Sequence, residues 1–147
     1  MGNVNYTVHH PMTGNVVVIR WASLSTSNGS ADSGQPFPAT TDFGLIGTLF
    51  SDKSVHVRRP SGSDCQVVIQ GSNQPDVIAT TSITWATLTD PQGNGLQLPG
   101  SGVLSVIEAI LENTFYIRPL VSTVSSTSMA ATVDLLFSSV RSSRSGV

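Results

Sequence analysis

Charged side chains are scarce in this sequence. Lys, Arg, Asp and Glu make up 11% of the 147 residues, against roughly 25% in ordinary soluble domains. The net charge of −2 and the pI near 5.8 argue against a protein that binds nucleic acid or anionic membranes. Because few ions must lose water when a partner covers such a surface, we favour a protein built for contact with other proteins. The alternative is a Ser/Thr-rich β protein without such contacts.

Cysteine is nearly absent as well. Cys65 is the only one, which excludes an intrachain disulfide and a zinc site built from several cysteines. It begins a hydrophobic run, where we expect a small buried residue and not a reactive thiol. There is no basic start followed by an apolar stretch, and no apolar run approaches the roughly 18 residues of a membrane span. We expect a protein that is made in the cytoplasm and does not enter a membrane.

Sequence patterns of catalysis are also missing. The chain has no Gly-x-Ser-x-Gly elbow, P-loop or dinucleotide fingerprint. Glu108 and Glu112 are spaced i, i+4 on a predicted helix, where we expect solvated carboxylates with mild mutual repulsion. His9 and His10 are adjacent and His56 stands apart, so they make no ready metal site. We predict a non-enzyme with no catalytic residue, no metal and no cofactor.

Short β-strand patterns separated by turn sequences are abundant. We predict strands over 15–21, 42–50, 54–59, 65–70, 96–98, 114–121 and 129–137, and one broken strand or two short ones over 77–89. In 103–112 the apolar residues have helical spacing, which favours a short helix, with Ser101 as N-cap and Asn113 as its end, over a buried strand. About eight strands and one short helix predict an all-β domain over 1–147, a β-sandwich or jelly roll.

Two further features bear on internal structure. Residues 90–95 have turn chemistry: Asp90 can accept from the backbone two residues on, Pro91 presets φ, and Gly93 tolerates positive φ. Arg118 lies in an apolar strand before Pro119, which places this strand end at an edge or a bulge. We predict that Arg118 pairs with a carboxylate such as Asp90 or Asp134; the alternative is that it faces a partner.

Partner contacts are predicted mainly in the first part of the chain. Residues 1–13 look like an arm or a short edge strand, and 23–41 are a long irregular connection of the kind that often makes contacts. We place Trp85 in the core and Trp21 at the surface. The tail beyond about residue 141 is expected to be mobile. The predicted interface residues are Tyr6, His9, His10, Trp21, Phe37, Arg58 and Arg59.

Four segments occur in an order that resembles a group of virion proteins. They are Val-Val-Ile-Gln-Gly-Ser-Asn at 67–73, Trp-Ala-Thr-Leu-Thr-Asp-Pro-Gln-Gly-Asn at 85–94, Tyr-Ile-Arg-Pro-Leu-Val-Ser at 116–122 and the apolar strand at 131–137. The group is the cement, or capsid decoration, proteins of tailed phages, such as that of the Bordetella podophage. The first two segments are also similar to discoidin and carbohydrate-binding sandwiches. The residues that carry the resemblance are Gly71, Ser72, Asn73, Trp85, Leu88, Asp90, Pro91, Gly93, Arg118 and Pro119.

The resemblance implies a structural virion protein located on the outer capsid surface. Such a protein binds neighbouring major capsid subunits, as a homodimer or another homo-oligomer, and stabilises the shell without a cofactor. The chain departs from the pattern at 74–83, which lengthen the connection between the Gly-Ser-Asn turn and Trp85. The alternative is a carbohydrate-binding or tail-associated phage adhesion module.

Overall fold

The computed structural model describes residues 3–9, 16–27, 30–39, 52–61, 65–74, 83–98, 103–122 and 129–138. Thirteen strands and no helix occur in these ranges, which confirms the all-β prediction. In chain order the strands are β1 (Asn3–Val4), β2 (Tyr6–His9), β3 (Val16–Ser27), β4 (Ser30–Ala31), β5 (Ser33–Gly34), β6 (Phe37–Pro38), β7 (Asp52–Arg58), β8 (Val67–Ser72), β9 (Ala86–Thr87), β10 (Gln97–Leu98), β11 (Ser105–Ala109), β12 (Tyr116–Val121) and β13 (Met129–Ser138).

The strands form two sheets. Sheet A has the order β1-β5-β12-β8-β10, with β6 beside β12 and β9 beside β8. Sheet B has the order β11-β7-β13-β3-β2, with β4 beside β3. All described pairings are antiparallel except β1–β5, which is parallel. The architecture is that of a β-sandwich.

Alternating apolar residues build the core between the sheets. In β13, Ala131, Val133, Leu135 and Phe137 are buried, and the residues between them are half-buried. Because successive strand residues point to opposite faces, this alternation places every second side chain inside. Sheet A contributes its own inward row, and Cys65 is buried with it, as predicted. Burial raises the pKa of the Cys65 thiol.

Segment 103–112 is not a helix, and that prediction was wrong. Residues Ser105–Ala109 form β11, which pairs with β7 along its whole length. The apolar positions fit both the helical period of 3.6 residues and the strand period of two, but Val106 and Ile107 are β-branched and favour a strand. Asn113 does not end a helix; its side-chain oxygen accepts a hydrogen bond from the buried Lys53.

The described part of the predicted N-terminal arm pairs within this chain. β1 joins sheet A through β5, and β2 joins sheet B through β3. Tyr6 packs edge-on against Trp21 and Phe37, with ring centroids 6.1 and 5.3 Å away. Residues 3–9 are therefore edge strands, the second of the two predicted forms, and tie the two sheets together.

The prediction of a long irregular connection over 23–41 was wrong for the described part of that range, which contains strands. β3 continues through Ser27, and β4, β5 and β6 follow. A β-bulge hides this continuity in the sequence, because Ala22 and Ser23 together oppose Thr132 of β13. Ser23 has a φ of 59°. The predicted strand at 42–50, residues 77–82, Ser101, His10 and the tail beyond 138 lie outside the described residues.

Pro119 lies inside sheet A and not at its edge. Opposite it, Ile69 donates to the Leu96 carbonyl and accepts from the Leu88 N–H, so both of its backbone bonds point away from β12. When two opposed residues exchange no hydrogen bonds, the backbone groups of one point away from the other, and the reverse holds as well. The nitrogen of Pro119, which has no hydrogen to donate, therefore faces the side of β12 where pairing is divided between β5 and β6. Two residues of β12 oppose three residues there, which is a bulge, the second of the two predicted settings for this proline.

Candidate interaction edge

β11 lies at one edge of sheet B. It pairs with β7 on one side, and no strand of the described residues pairs with its other side. The register runs from Ser105 opposite Arg58 to Ala109 opposite Ser54. We call residues 103–111 the β11 edge.

Two hydrogen bonds identify which backbone groups of β11 are unpaired. Arg59 N–H donates to the Leu104 carbonyl at 2.9 Å, and Ile110 N–H donates to the Lys53 carbonyl at 3.0 Å. In an antiparallel ladder the backbone groups of successive residues alternate in direction. Even-numbered residues therefore bond to β7, and the N–H and C=O groups of Ser105, Ile107 and Ala109 point outward.

Large apolar side chains are exposed on this same segment. Among the described residues five such side chains are exposed, and four belong to the β11 edge: Val103 at 42%, Leu104 at 43%, Ile107 at 63% and Leu111 at 55%. The fifth, Val8 at 39%, lies on β2 at the opposite edge of sheet B. Exposed apolar residues beside unpaired backbone groups are typical of a surface to which another strand adds.

The β11 edge has little electrostatic protection. Glu108 is its only charged residue; it is half-buried and lies opposite Val55, on the inward face. No lysine or proline interrupts residues 103–111, although these residues commonly block strand addition at sheet edges. The segment therefore permits a partner strand to approach.

Glu112 anchors the C-terminal end of this edge. Its carboxylate accepts hydrogen bonds from the Thr89 N–H at 2.8 Å and from the Thr89 hydroxyl at 2.6 Å. Burial alone would raise the pKa of Glu112, but the bonds from Thr89 and the nearby Lys53 outweigh it and lower the pKa. The predicted pair of solvated helix carboxylates is thus wrong, because Glu112 is a structural anion.

Replacing Glu112 with glutamine should lower the free energy of unfolding by about 1 kcal/mol at neutral pH, since one charged acceptor is lost. A carboxylate whose pKa is depressed by folding stabilises the fold above its unfolded pKa and loses that contribution as the pH falls. The difference between Glu112→Gln and wild type should therefore shrink below the ordinary pKa of 4.5. Urea unfolding at several pH values measures it; a constant difference would contradict the role assigned to Glu112.

An ionic cluster lies beside the edge on the outer face of sheet B. Arg20 and Arg58 both contact Asp134 at 2.6 Å. His56, directly opposite Ile107, contacts the Ser105 hydroxyl through Nε2 at 2.7 Å. Arg58, a predicted interface residue, is half-exposed and lies opposite Ser105, so it borders the β11 edge.

Three other predicted interface residues are buried, and their assignment to the surface was wrong. Trp21 is 1% exposed, Phe37 2% and Arg59 6%. The Trp21 indole donates to the Gln35 carbonyl at 3.0 Å, and the Arg59 guanidinium donates to the Cys65 carbonyl at 3.1 Å. The position of Trp21 near a bulge resembled a strand end, whereas β3 continues and turns the side chain inward.

The remaining predicted contacts belong to β2. His9 is exposed and hydrogen-bonded to the Thr7 hydroxyl, and Tyr6 is half-buried between Trp21 and Phe37. Only His9 of these two offers a largely accessible side chain.

Arg118 and Trp85 contact each other on the outer face of sheet A. The Arg118 guanidinium carbon lies 4.2 Å from the centre of the Trp85 ring, and its Nε donates to the Gln70 side chain at 3.0 Å. Desolvation lowers the pKa of Arg118. The predicted pairing with Asp90 or Asp134 is wrong, and Trp85 is half-buried instead of filling the core. Stacking on an aromatic face takes the place of an ion pair.

The turn at residues 90–95 agrees with its prediction. Asp90 Oδ1 accepts from the Gln92 and Asn94 N–H groups, each at 2.9 Å, and Gly93 has a φ of 88°. Hydrogen bonds from Asn94 lower the pKa of Asp90. Leu88, just before this turn, is buried in the core.

The predicted turn at Gly71-Ser72-Asn73 begins later than expected. Gly71 and Ser72 still belong to β8, and Gly71 lies opposite Ile117 and Ala86. Asn73 follows the strand and accepts from the Phe115 N–H at 3.0 Å.

A cleft of about 470 Å³ lies beside the end of β8. Glu112 is the one carboxylate in its lining, and the depressed pKa suits a charged acceptor rather than a proton donor. Among the described residues no three His, Cys, Asp or Glu side chains cluster as metal ligands. The cleft is lined by Gly71, Ser72, Asn73, Gln74, Thr84, Ala86, Thr87, Leu88, Glu112 and Thr114.

Comparison with known proteins identifies no relative: no family model, no curated protein and no solved structure matches the chain. The described residues also contain no helix that is long and apolar enough to span a membrane.

The β11 edge was missed at the level of sequence, although a signal was present. Positions 103, 105, 107, 109 and 111 read Val, Ser, Ile, Ala and Leu, and all five are exposed in the structure. The strand period of two at these positions was overlooked because the same segment also has apolar residues at helical spacing, at 103, 104, 107, 110 and 111. The absence of lysine and proline from the segment was the sign of an unprotected edge.

Proposed function

We propose that this chain is a non-enzymatic structural protein that decorates and stabilises an icosahedral phage capsid by binding the outer surface of neighbouring major capsid subunits. The proposal draws its biological setting from the four segments that resemble capsid decoration proteins. Its physical support comes from the distribution of exposed apolar residues.

The observation that carries a contact role is the β11 edge. Four of the five exposed large apolar side chains of the described residues lie within this one segment. A free sheet edge of this kind is completed by another polypeptide chain, because main-chain hydrogen bonds and apolar contacts form together. A protein whose most exposed apolar surface is a sheet edge is suited to assembly.

The low charge of the whole chain supports the same role. With 11% charged residues, few ions have to be desolvated when the surface is covered. Many identical sites on a shell also multiply modest individual contacts into strong attachment.

Purified particles of the phage that encodes the chain provide the test. We expect a copy number stoichiometric with the major capsid protein, measured by quantitative mass spectrometry, and added protein should co-sediment with particles that lack it. Only a few copies per particle, or no co-sedimentation, would overturn the capsid role.

A carbohydrate-binding module is the second candidate, and the cleft beside β8 supports it. Hydroxyl and amide side chains line the cleft, among them Asn73, Gln74 and Thr84. Saturable binding on a glycan array that is lost in Thr84→Ala and kept in Trp85→Ala, whose ring stacks with Arg118 and does not line the cleft, would favour this function. Trp21→Ala is unsuitable for that test because Trp21 lies in the core.

A further inference from the structure

We propose that the β11 edge pairs with the β11 edge of a second copy of this chain, antiparallel, with the two-fold axis at Ile107. In this register Ile107 lies opposite Ile107 of the second copy, and Ser105 lies opposite Ala109 of the second copy. Sheet B then continues from one copy into the other.

The outward backbone groups determine which pairings can form. Ser105, Ile107 and Ala109 present their N–H and C=O groups away from β7. In the proposed register these three residues face the same three residues of the second copy. Each pair exchanges two hydrogen bonds, so every outward backbone group of β11 in both copies finds a partner.

The outer-face side chains match in size in this register. Large and small residues alternate about Ile107, with Ser105 and Ala109 on either side of it. Antiparallel pairing about Ile107 sets small against small and isoleucine against isoleucine. The matched segment ends before Leu111, because the Leu111 N–H is bonded to the Thr89 carbonyl of its own chain. Cross-strand apolar pairs of this kind stabilise a sheet.

Charge disfavours one neighbouring register, and the extent of overlap disfavours the other. Glu108, the one charged residue of the segment, falls opposite Val106 of the second copy. A shift that placed Glu108 opposite itself would set like charges directly across the strands, which is destabilising. The proposed register also overlaps all five residues of β11.

Among the described strands, sheet B has a second edge without a partner strand, and this edge offers a competing arrangement. Its strand, β2, is exposed at Val8, Thr7 and His9. Pairing of β11 with β2 of another copy would leave one free edge at each end and continue as an open chain. The two-fold pairing of β11 closes after two copies.

Dimerisation adds a means of attachment to the proposed capsid role. The use of the dimer on a capsid rests on that proposed function, whereas the pairing of β11 does not. A dimer carries two copies of every surface that remains exposed, so it can bridge neighbouring capsid subunits with two-point attachment. The pairing itself requires no capsid, so it is testable with the purified chain.

The molar mass of the protein in solution is the first test. By sedimentation equilibrium the wild type should have about twice the mass of the 15.4 kDa chain. Ile107→Lys, which sets two ammonium groups against each other at the axis, should return the mass to that of one chain with an unchanged circular dichroism spectrum. Val8→Lys is the matched control on the opposite edge and should remain dimeric. A monomeric wild type, or dissociation by Val8→Lys and not by Ile107→Lys, would overturn the proposal.

Cysteine cross-linking tests the register. A pair of residues that exchange hydrogen bonds has Cα atoms about 5.5 Å apart, within the range that a disulfide spans. Ile107→Cys should therefore form a disulfide-linked dimer on mild oxidation. Ser105→Cys, on the same face, should not, because two such cysteines would lie roughly 14 Å apart along the strands. Equal cross-linking of both variants, or of Ser105→Cys alone, would refute the register.

These outcomes separate the two proposals. A monomer that co-sediments with particles would refute the dimer and leave the capsid role intact. A dimer that binds no particles would refute the capsid role and leave the pairing of β11 intact.

Discussion

Replacing Trp21 with alanine should lower the free energy of unfolding by about 3–5 kcal/mol, the loss that accompanies truncation of a large buried aromatic side chain. Trp21 is 1% exposed. Its ring packs against Tyr6 at 6.1 Å, and its indole N–H is bonded to the Gln35 carbonyl. Truncation leaves a cavity between the sheets and removes the donor of the part-buried Gln35 carbonyl, and both changes destabilise the fold.

Urea unfolding followed by far-ultraviolet circular dichroism measures this loss without relying on tryptophan fluorescence. Trp85→Ala is the matched control, because Trp85 is half-buried and its stacking with Arg118 lies on the outer face of sheet A. We expect that control to lose about 1 kcal/mol. A larger loss from Trp85→Ala than from Trp21→Ala would contradict the arrangement of the two tryptophans.

Gly34→Ala should cost about 2 kcal/mol, because there is no room for a methyl group. A Cβ atom at Gly34 would lie 2.5 Å from Pro119 Cδ and 2.7 Å from Trp21 Cδ1. Both neighbours belong to rings and both are buried, so neither can rotate away as a flexible side chain would. The strand β5 or the core beneath it has to shift.

Gly95→Ala is the control for the glycine substitution. Its added Cβ would meet only Thr87 Cγ2, at the ordinary contact distance of 3.6 Å. We expect a change within about 0.5 kcal/mol, as for other surface substitutions. Equal unfolding midpoints for Gly34→Ala and wild type would show that β5 does not approach Trp21 and Pro119 this closely.

The sequence predicted a strand correctly where apolar and polar residues alternate with a period of two and no helical spacing competes. Apolar and polar residues alternate over 129–137 and over 54–59, and the strands β13 and β7 form at these two places. The turn at Asp90 was also predictable, since its hydrogen bonds join residues close in sequence. These features depend on interactions within a few residues, which a sequence displays directly.

Features that depend on distant residues were not predictable in the same way. Trp21 and Phe37 are buried between the sheets, where both contact Tyr6 of β2 and Phe37 also contacts Phe137 of β13. Arg118 contacts Trp85 and Gln70 instead of a carboxylate, because the pairing of β8 with β12 places Arg118 opposite Gln70. No pattern near these residues specifies which strands become neighbours.

The β11 edge shows how one segment can satisfy two periods. Its apolar residues fit a helix as well as a strand, and pairing with β7 decides between them. The same residues lie at the edge of sheet B only because no other described strand follows in that sheet. The candidate interface therefore required the topology before it could be recognised.

Hydrogen exchange at individual amides tests the strand addition most directly. Val106 and Glu108 donate towards β7 within one chain and should be protected at every protein concentration. Ser105, Ile107 and Ala109 donate outward and should be protected only at concentrations where the protein is dimeric. In Ile107→Lys the outward amides should exchange fast while the inward two stay slow. Fast exchange at the three outward amides in a dimeric wild-type sample would contradict pairing through β11.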